Sequence, residues 1–270
     1  GNGTLTLNSA TIKGDNSPIG VPYGSGIYAL SRSGQPVSLT IKLIGTNTIT
    51  GNYGIYVDAQ QGETVGTNAS LLIQNSGGDG SLGVSGFNYG IYVKSGTGNA
   101  SLIINDASVV AKTTQTYSGY AGVCVQSGSD ATSFPKLSLA VDGGSLTASA
   151  SEGNHGIQFY VGSSDATDAT TSLTVSNNAI VRANGSAGGI TSNSSTGIQY
   201  ETGSDSTGGI VFDGKNGTVY GDDDVKSVTV RKGSAYTAGA LSATVLKVAS
   251  ADDVVPVISG VNESTTITVG

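Results

Sequence analysis

Apolar and polar residues alternate in short runs, and the runs return with nearly the same wording. Asn52-Tyr53-Gly54-Ile55-Tyr56-Val57 is repeated letter for letter as Asn88-Tyr89-Gly90-Ile91-Tyr92-Val93. Weaker copies begin at Ser25, Ala121, Asn154 and Gly197. Their glycines fall at 26, 54, 90, 122, 156 and 197, with a mean step of about 34 residues. Self-similarity at such a period marks a solenoid, a propeller or an array.

Two further phrases travel with the first. One includes Thr4-Leu5-Thr6-Leu7, Ser38-Leu39-Thr40-Ile41, Ser70-Leu71-Leu72-Ile73, Ser101-Leu102-Ile103-Ile104, Lys136-Leu137-Ser138-Leu139, Ser172-Leu173-Thr174-Val175 and Gly209-Ile210-Val211-Phe212. Its leucine-type position recurs at 5, 39, 71, 102, 137, 173 and 210, again about 34 apart. The other includes Asn47-Thr48-Ile49-Thr50, Ser108-Val109-Val110-Ala111 and Ser145-Leu146-Thr147-Ala148. Short β-branched or aliphatic runs between turn residues are strand signals. Each repeat therefore predicts three short strands. A propeller blade would need four antiparallel strands, and only two to four residues separate the second strand from the third.

That short bend carries Asn8, Asn75, Asn105-Asp106, Asp142, Asn177-Asn178 and Asp213. Asn and Asp tolerate the left-handed conformation and bond their own backbone. Stacked at strand spacing, about 4.8 Å, their amides can also bond one another along the coil. The pattern over residues 3–221 resembles the right-handed parallel β-helices of the pectate-lyase-like superfamily. That superfamily includes polysaccharide lyases, surface adhesins and carbohydrate-binding surface proteins of bacteria. The resemblance is one of architecture, and right-handedness also follows the general hand of parallel crossovers.

The expected fold is all-β, a right-handed parallel β-helix of three strands per rung and about six to seven rungs. Ile27, Ile55, Ile91, Val123, Ile157 and Ile198 are expected to form one internal stack. Ala29, Val57, Val93, Val125, Phe159 and Tyr200 form another. The repeat spans residues 1–221. It blurs from 222, so 222–270 reads as terminal rungs and a β-rich cap, with a small separate β-domain as the alternative. A solenoid has to cover its terminal edges in some such way.

Composition narrows the function. Charged residues make up 11% of the 270, and the net charge is −7. No run of Lys or Arg points to nucleic acid or to an anionic membrane. No apolar run reaches the roughly 20 residues of a spanning helix. The chain opens without Met or a leader-like segment and reads as a mature or trimmed portion. Cys124 is the sole cysteine, so no internal disulfide framework exists.

Candidate chemistry sits on the outer face of the first strand. Alternation sends Tyr28, Tyr56, Tyr92, Cys124, Gln158 and Gln199 outward, flanked by Tyr53, Tyr89 and His155. An exposed tyrosine strip beside amides offers ring faces to pyranose rings and amides to hydroxyls. Tyr28, Tyr53, Tyr56, Tyr89, Tyr92, His155 and Gln158 are accordingly the expected glycan platform. The same tyrosines could instead serve only to stabilise a parallel ladder.

Catalysis finds less support. Glycoside hydrolysis needs two carboxyls about 5–10 Å apart, and the outward first-strand positions carry none. Asp58 follows one strand, but Lys94 stands at its equivalent in the next repeat. A lyase of the resembled superfamily would want calcium-binding carboxylates and a basic residue at the groove, whereas the arginines are Arg32, Arg182 and Arg231. His155, the lone histidine, lacks an evident carboxylate orienter other than Glu152. Asp222, Asp223 and Asp224 are the weak candidates for a calcium site, without the spacing of a regular calcium loop. No other cofactor is expected.

The expected function is thus a non-catalytic secreted or cell-surface bacterial protein, monomeric, that binds polysaccharide or host-surface glycan or acts as an adhesin. A polysaccharide lyase or hydrolase working along the first-strand face, and a purely structural spacer, are the alternatives.

Overall fold

The computed structural model describes residues 2–15, 24–32, 34–61, 67–128, 135–151, 153–162, 169–177, 179–186, 188–192 and 198–202, together with short backbone strands between 210 and 269. Described in chain order are β1 (Asn2–Asn8), β2 (Thr11–Lys13), β3 (Ile27–Arg32), β4 (Val37–Gln61), β5 (Ala69–Lys94), β6 (Ala100–Thr113), β7 (Ala121–Ser127) and β8 (Lys136–Ser149). They continue with β9 (His155–Val161), β10 (Thr170–Ser176), β11 (Ile180–Asn184), β12 (Gly188–Ser192), β13 (Ile198–Thr202), β14 (Ile210–Phe212) and β15 (Val219–Gly221). No helix occurs among the described residues. The strands pair in parallel and stack as a β-solenoid of about five turns.

The two longest strands are single runs that turn corners without breaking. β4 pairs with β5 in three successive segments, starting at Val37↔Ala69, Thr46↔Ser81 and Tyr53↔Tyr89, with register shifts between them. Those segments are the second, third and first phrases of the repeat. Three faces result. The second-strand face runs through β1, β4, β5, β6, β8 and β10. The third-strand face runs through β2, β4, β5, β6, β8 and β11. The first-strand face runs through β3, β4, β5, β7, β9 and β12.

Inside the coil, like sits on like. Ile55, Ile91, Val123 and Ile157 form one sealed column, and Val57, Val93, Val125 and Phe159 form another. Removing such a side chain from water contributes about 1.5–3 kcal/mol. In the first rung Ile27 and Ala29 are only partly covered.

Both columns continue at β12 rather than β13. Ile190 pairs with Ile157 and Ser192 with Phe159, whereas Ile198 and Tyr200 pair with Thr171 and Leu173 on the second-strand face. The expected places of Ile198, Gln199 and Tyr200 in the first-strand columns are corrected accordingly. Gly-Ile occurs both at 189–190 and at 197–198, and the pairing takes the earlier one. For the same reason Ile210 joins the third-strand face, opposite Val181.

The leucine column also slips. Leu5 stands beside Ile41, and Leu139, not Leu137, stands beside Leu102. Each slip is two residues, which keeps every side chain on its expected face because the strand period is two.

The bend between second and third strands is left-handed, as its Asx content implies. Ser9, Asp106 and Asn177 have φ of 48°, 50° and 52°, and Gly45 and Gly143 stand at equivalent places with φ of 63° and 69°. Asn177 Nδ2 donates to Asp142 Oδ1 across adjacent bends at 2.5 Å. The more extended amide chains lie at other corners. Asn88 Nδ2 donates to Asn52 Oδ1 at 3.0 Å, Gln115 Nε2 to Asn88 Oδ1 at 3.4 Å, and Asn154 Nδ2 to the Gln115 carbonyl at 2.7 Å.

The repeated glycine has a steric cause. A Cβ on Gly54 would lie 2.6 Å from the carbonyl oxygen of Gly90 and would run into Val84. One on Gly90 would lie 2.6 Å from the Gly122 carbonyl oxygen and 2.7 Å from the Lys112 nitrogen. Here the start of each first strand passes against the end of the third, closer than any side chain permits.

Beyond β15 the strands Val228–Val230, Val245–Val248 and Thr266–Val269 pair in parallel with one another. Asp222, Asp223 and Asp224 lie outside the described residues.

Candidate functional site

The first-strand face carries the repeated tyrosines, and the structure brings them together. Tyr28, Tyr56 and Tyr92 occupy one register row, continued by Cys124 and Gln158, while Tyr53 and Tyr89 occupy the adjoining row with Ala121 and His155. Their rings stack face to face. Centroids are 5.2 Å apart for Tyr28–Tyr56, 4.9 Å for Tyr53–Tyr56, 4.9 Å for Tyr56–Tyr92 and 4.6 Å for Tyr89–Tyr92. Planes within these pairs differ by 10–30°. Tyr120 leans on Tyr89 at 5.2 Å and 59°.

The strip is not the exposed platform that strand alternation implied. Tyr53, Tyr56 and Tyr92 retain only 5%, 3% and 7% of their exposure, and Cys124 retains none. With Ala121 they form a second apolar cluster outside the coil, against which the half-buried Tyr28 and Tyr89 pack. The physical reason is twofold. Rings at strand spacing cover one another, and residues 114–120 fold against the face, where the Gly119 carbonyl accepts the Tyr89 phenol at 2.9 Å. The ring faces that would have met a sugar meet other rings.

The phenol groups are held as well. Tyr56 donates to Asp58 Oδ2 at 2.8 Å, and Tyr92 to Gln126 Oε1 at 2.6 Å. Burial pushes the phenols of Tyr53, Tyr56, Tyr89 and Tyr92 above their ordinary value. For Tyr56 the charge of Asp58 and the hydrogen bond to it add to the effect. Burial likewise raises the Cys124 thiol, against a smaller opposing pull from Lys94. A protonated, enclosed thiol is a poor nucleophile.

His155 and Gln158 are half-buried on β9. The His155 backbone N–H donates to the Tyr120 carbonyl at 3.4 Å, so its strand is tied to the segment that flanks the tyrosines. Asp58 is buried, and its register neighbour on the next rung is Lys94. Among the described residues no group of three or more His, Cys, Asp or Glu side chains gathers to hold a metal ion.

An open concavity lies on another face. A groove of about 480 Å³ runs across the start of the second strands, over four successive rungs. Its floor bears Ser38, Ser70, Ser101 and Ser138, which stand in one register row. Asn68, Asn99 and Lys136 form its rim and are exposed. The rim is rigid by construction. Asn68 Oδ1 accepts the Asn99 backbone N–H at 2.8 Å, and Asn99 Oδ1 accepts that of Lys136 at 2.9 Å. Each amide thereby spans one rung and leaves its NH₂ group as a donor.

Beside the serine row runs a second outward row, Thr40, Leu72, Ile103 and Ala140, in which Ile103 is exposed. Hydroxyl, apolar and amide groups thus lie side by side and repeat at each rung. Sequence reasoning passed over this face, although the signal was present as Ser before Leu in five of the repeats.

Fold and faces together make the chain a parallel β-solenoid. No family model, curated protein or solved structure matches it. No helix among the described residues is long and apolar enough to cross a membrane.

Proposed function

We propose that this chain is a non-catalytic, adhesin-like solenoid, displayed on a bacterial surface or secreted, that binds an extended polysaccharide along the groove of its second-strand face. The observation that carries the reading is the serine row over four rungs, rimmed by the ordered amides of Asn68 and Asn99. A polymer of hydroxylated rings needs polar partners repeated at a short fixed interval, and the coil supplies one set about every 4.8 Å. The adjacent Leu72 and Ile103 offer an apolar strip to the less polar ring faces. Net negative charge weighs against a densely anionic polymer, while Lys136 tolerates an occasional acidic sugar.

Retention on insoluble or immobilised polysaccharides, including cellulose, pectin and mucin, tests the reading. Ser70→Tyr with Ser101→Tyr fills the groove and is expected to abolish retention, while Tyr117→Ala, at an exposed site outside the groove's lining, leaves it intact. Failure of the parent chain to bind across the panel sinks the proposal.

The second reading is a structural spacer, favoured by the tyrosine ladder. Rings that satisfy one another along the axis stiffen a rod and need no ligand.

A further inference from the structure

We propose that the tyrosine ladder is a one-electron relay, and that an oxidising equivalent delivered to its rim settles on Tyr56, whose phenol proton passes to Asp58. This inference is independent of polysaccharide binding. Its basis is the conjunction of a continuous ring path with a phenol–carboxylate pair, Tyr56 and Asp58, inside it.

The path is continuous. Tyr28 stacks on Tyr56, Tyr56 on Tyr92 and Tyr92 on Tyr89, with centroids 4.6–5.2 Å apart, and Tyr53 bridges Tyr56 and Tyr92 at 4.9 and 5.8 Å. Electron exchange falls steeply with separation, and rings in van der Waals contact present the shortest steps a protein offers. Tyr28 and Tyr89 are half-buried and form the rim. Tyr56 lies within.

The resting place is chosen by the proton. An oxidised phenol that keeps its proton is a high-energy cation, and it becomes a neutral phenoxyl radical only when an adjacent base accepts that proton. Tyr92 donates to the amide oxygen of Gln126 and Tyr89 to a backbone carbonyl, neither of which is a base near neutral pH. Tyr56 donates to a carboxylate at 2.8 Å, a distance at which the proton moves along an existing hydrogen bond.

The balance is simple. A diffusing one-electron oxidant gains one electron from the rim. The vacancy passes ring to ring to Tyr56. There the O–H bond breaks, a new O–H bond forms at Asp58 Oδ2, and the neutral radical stays on the ring. A diffusing one-electron reductant then gives an electron back to the ladder, the O–H bond at Asp58 breaks, and the proton returns to the Tyr56 phenol. Burial of Tyr56 keeps its radical from coupling with a second chain, a fate open to Tyr117, which is 74% exposed.

The test is photo-oxidation of the full chain with a ruthenium tris-bipyridine complex and persulfate as terminal acceptor, followed by freeze-trapped electron paramagnetic resonance. The parent is expected to show a persistent tyrosyl signal. Tyr56→Phe, which keeps the ring in the stack, is expected to lose the persistent signal, as is Asp58→Asn, which keeps an acceptor but not a base. Tyr92→Phe retains it. A signal undiminished in Tyr56→Phe, or one that vanishes only in Tyr117→Phe, overturns the proposal. Near-ultraviolet circular dichroism establishes that each variant keeps its ring packing, and Tyr56→Phe decides the matter alone if Asp58→Asn fails to fold.

Discussion

Gly54 and Gly90 meet across adjacent rungs so closely that a single methyl group on Gly54 would stand 2.6 Å from the Gly90 carbonyl oxygen. At Gly90 itself the atoms that an added Cβ would meet, the Gly122 carbonyl oxygen and the Lys112 nitrogen and oxygen, are all main chain, which cannot swing aside. Gly90→Ala is therefore expected to destabilise the coil by about 1–3 kcal/mol or more, as overpacking does. Gly77→Ala is the control, since nothing lies within 4 Å of its added Cβ. Urea unfolding of both variants checks this, and equal midpoints would refute the steric account.

Asn47 is fully buried where the third strand begins. Its Oδ1 accepts the Ala10 N–H at 2.8 Å, while Nδ2 donates to the carbonyls of Ile44, Gly45 and Ser81 at 3.0–3.3 Å. One side chain thus ties three rungs. Asn47→Ala leaves those backbone groups without it and is expected to cost about 2–3 kcal/mol. A loss well below 1 kcal/mol by denaturant titration would show that water replaces the amide.

The buried phenols make stability depend on alkaline pH. Tyr53, Tyr56, Tyr89 and Tyr92 are all raised above the ordinary 10.0. Below that value both folded and unfolded chains keep these protons, and the contribution is fully present. Above it the unfolded chain releases them while the folded chain holds on, so stability falls by about 1.4 kcal/mol per pH unit for each phenol. The expected outcome is cooperative alkaline unfolding, with the ladder's phenolate absorbance appearing together with loss of circular dichroism. Gradual ionisation before any unfolding would count against the burial described.

Cys124 closes the tyrosine row with no solvent exposure and a raised thiol. Disulfide-exchange reagents are expected to leave it unmodified in the native chain and to modify it fully in denaturant. Rapid native labelling would mean that the face opens, and with it the cover over Tyr92.

Much of this architecture was legible in the chain itself. The return of Gly-Ile and of Ser-Leu identified the strands, and their alternation placed Ile55, Ile91 and Val123 inside. The bend residues Asp106 and Asn177 were recognisable because the left-handed region admits few side chains. The register was less legible. Leu5 and Leu137 were displaced by two residues, and Ile198 was matched to a face that Ile190 occupies, because several short apolar phrases of similar wording compete for each place.

The candidate sites were decided elsewhere. Residues 114–120 have no periodic counterpart that would announce their fold, yet Gly119 and Tyr120 close on Tyr89 at the edge of the buried ring cluster. The serine row became a groove only because its strands pair in register and the Asn68 and Asn99 amides raise a rim beside it. Periodicity is written locally, since each rung repeats the demands of its neighbour, and so the order of strands and the inward columns follow from the residues alone. Exposure is not local. It depends on which loop folds over which face and on how rings at 4.8 Å spacing shield one another, and those relations exist only once the coil is wound.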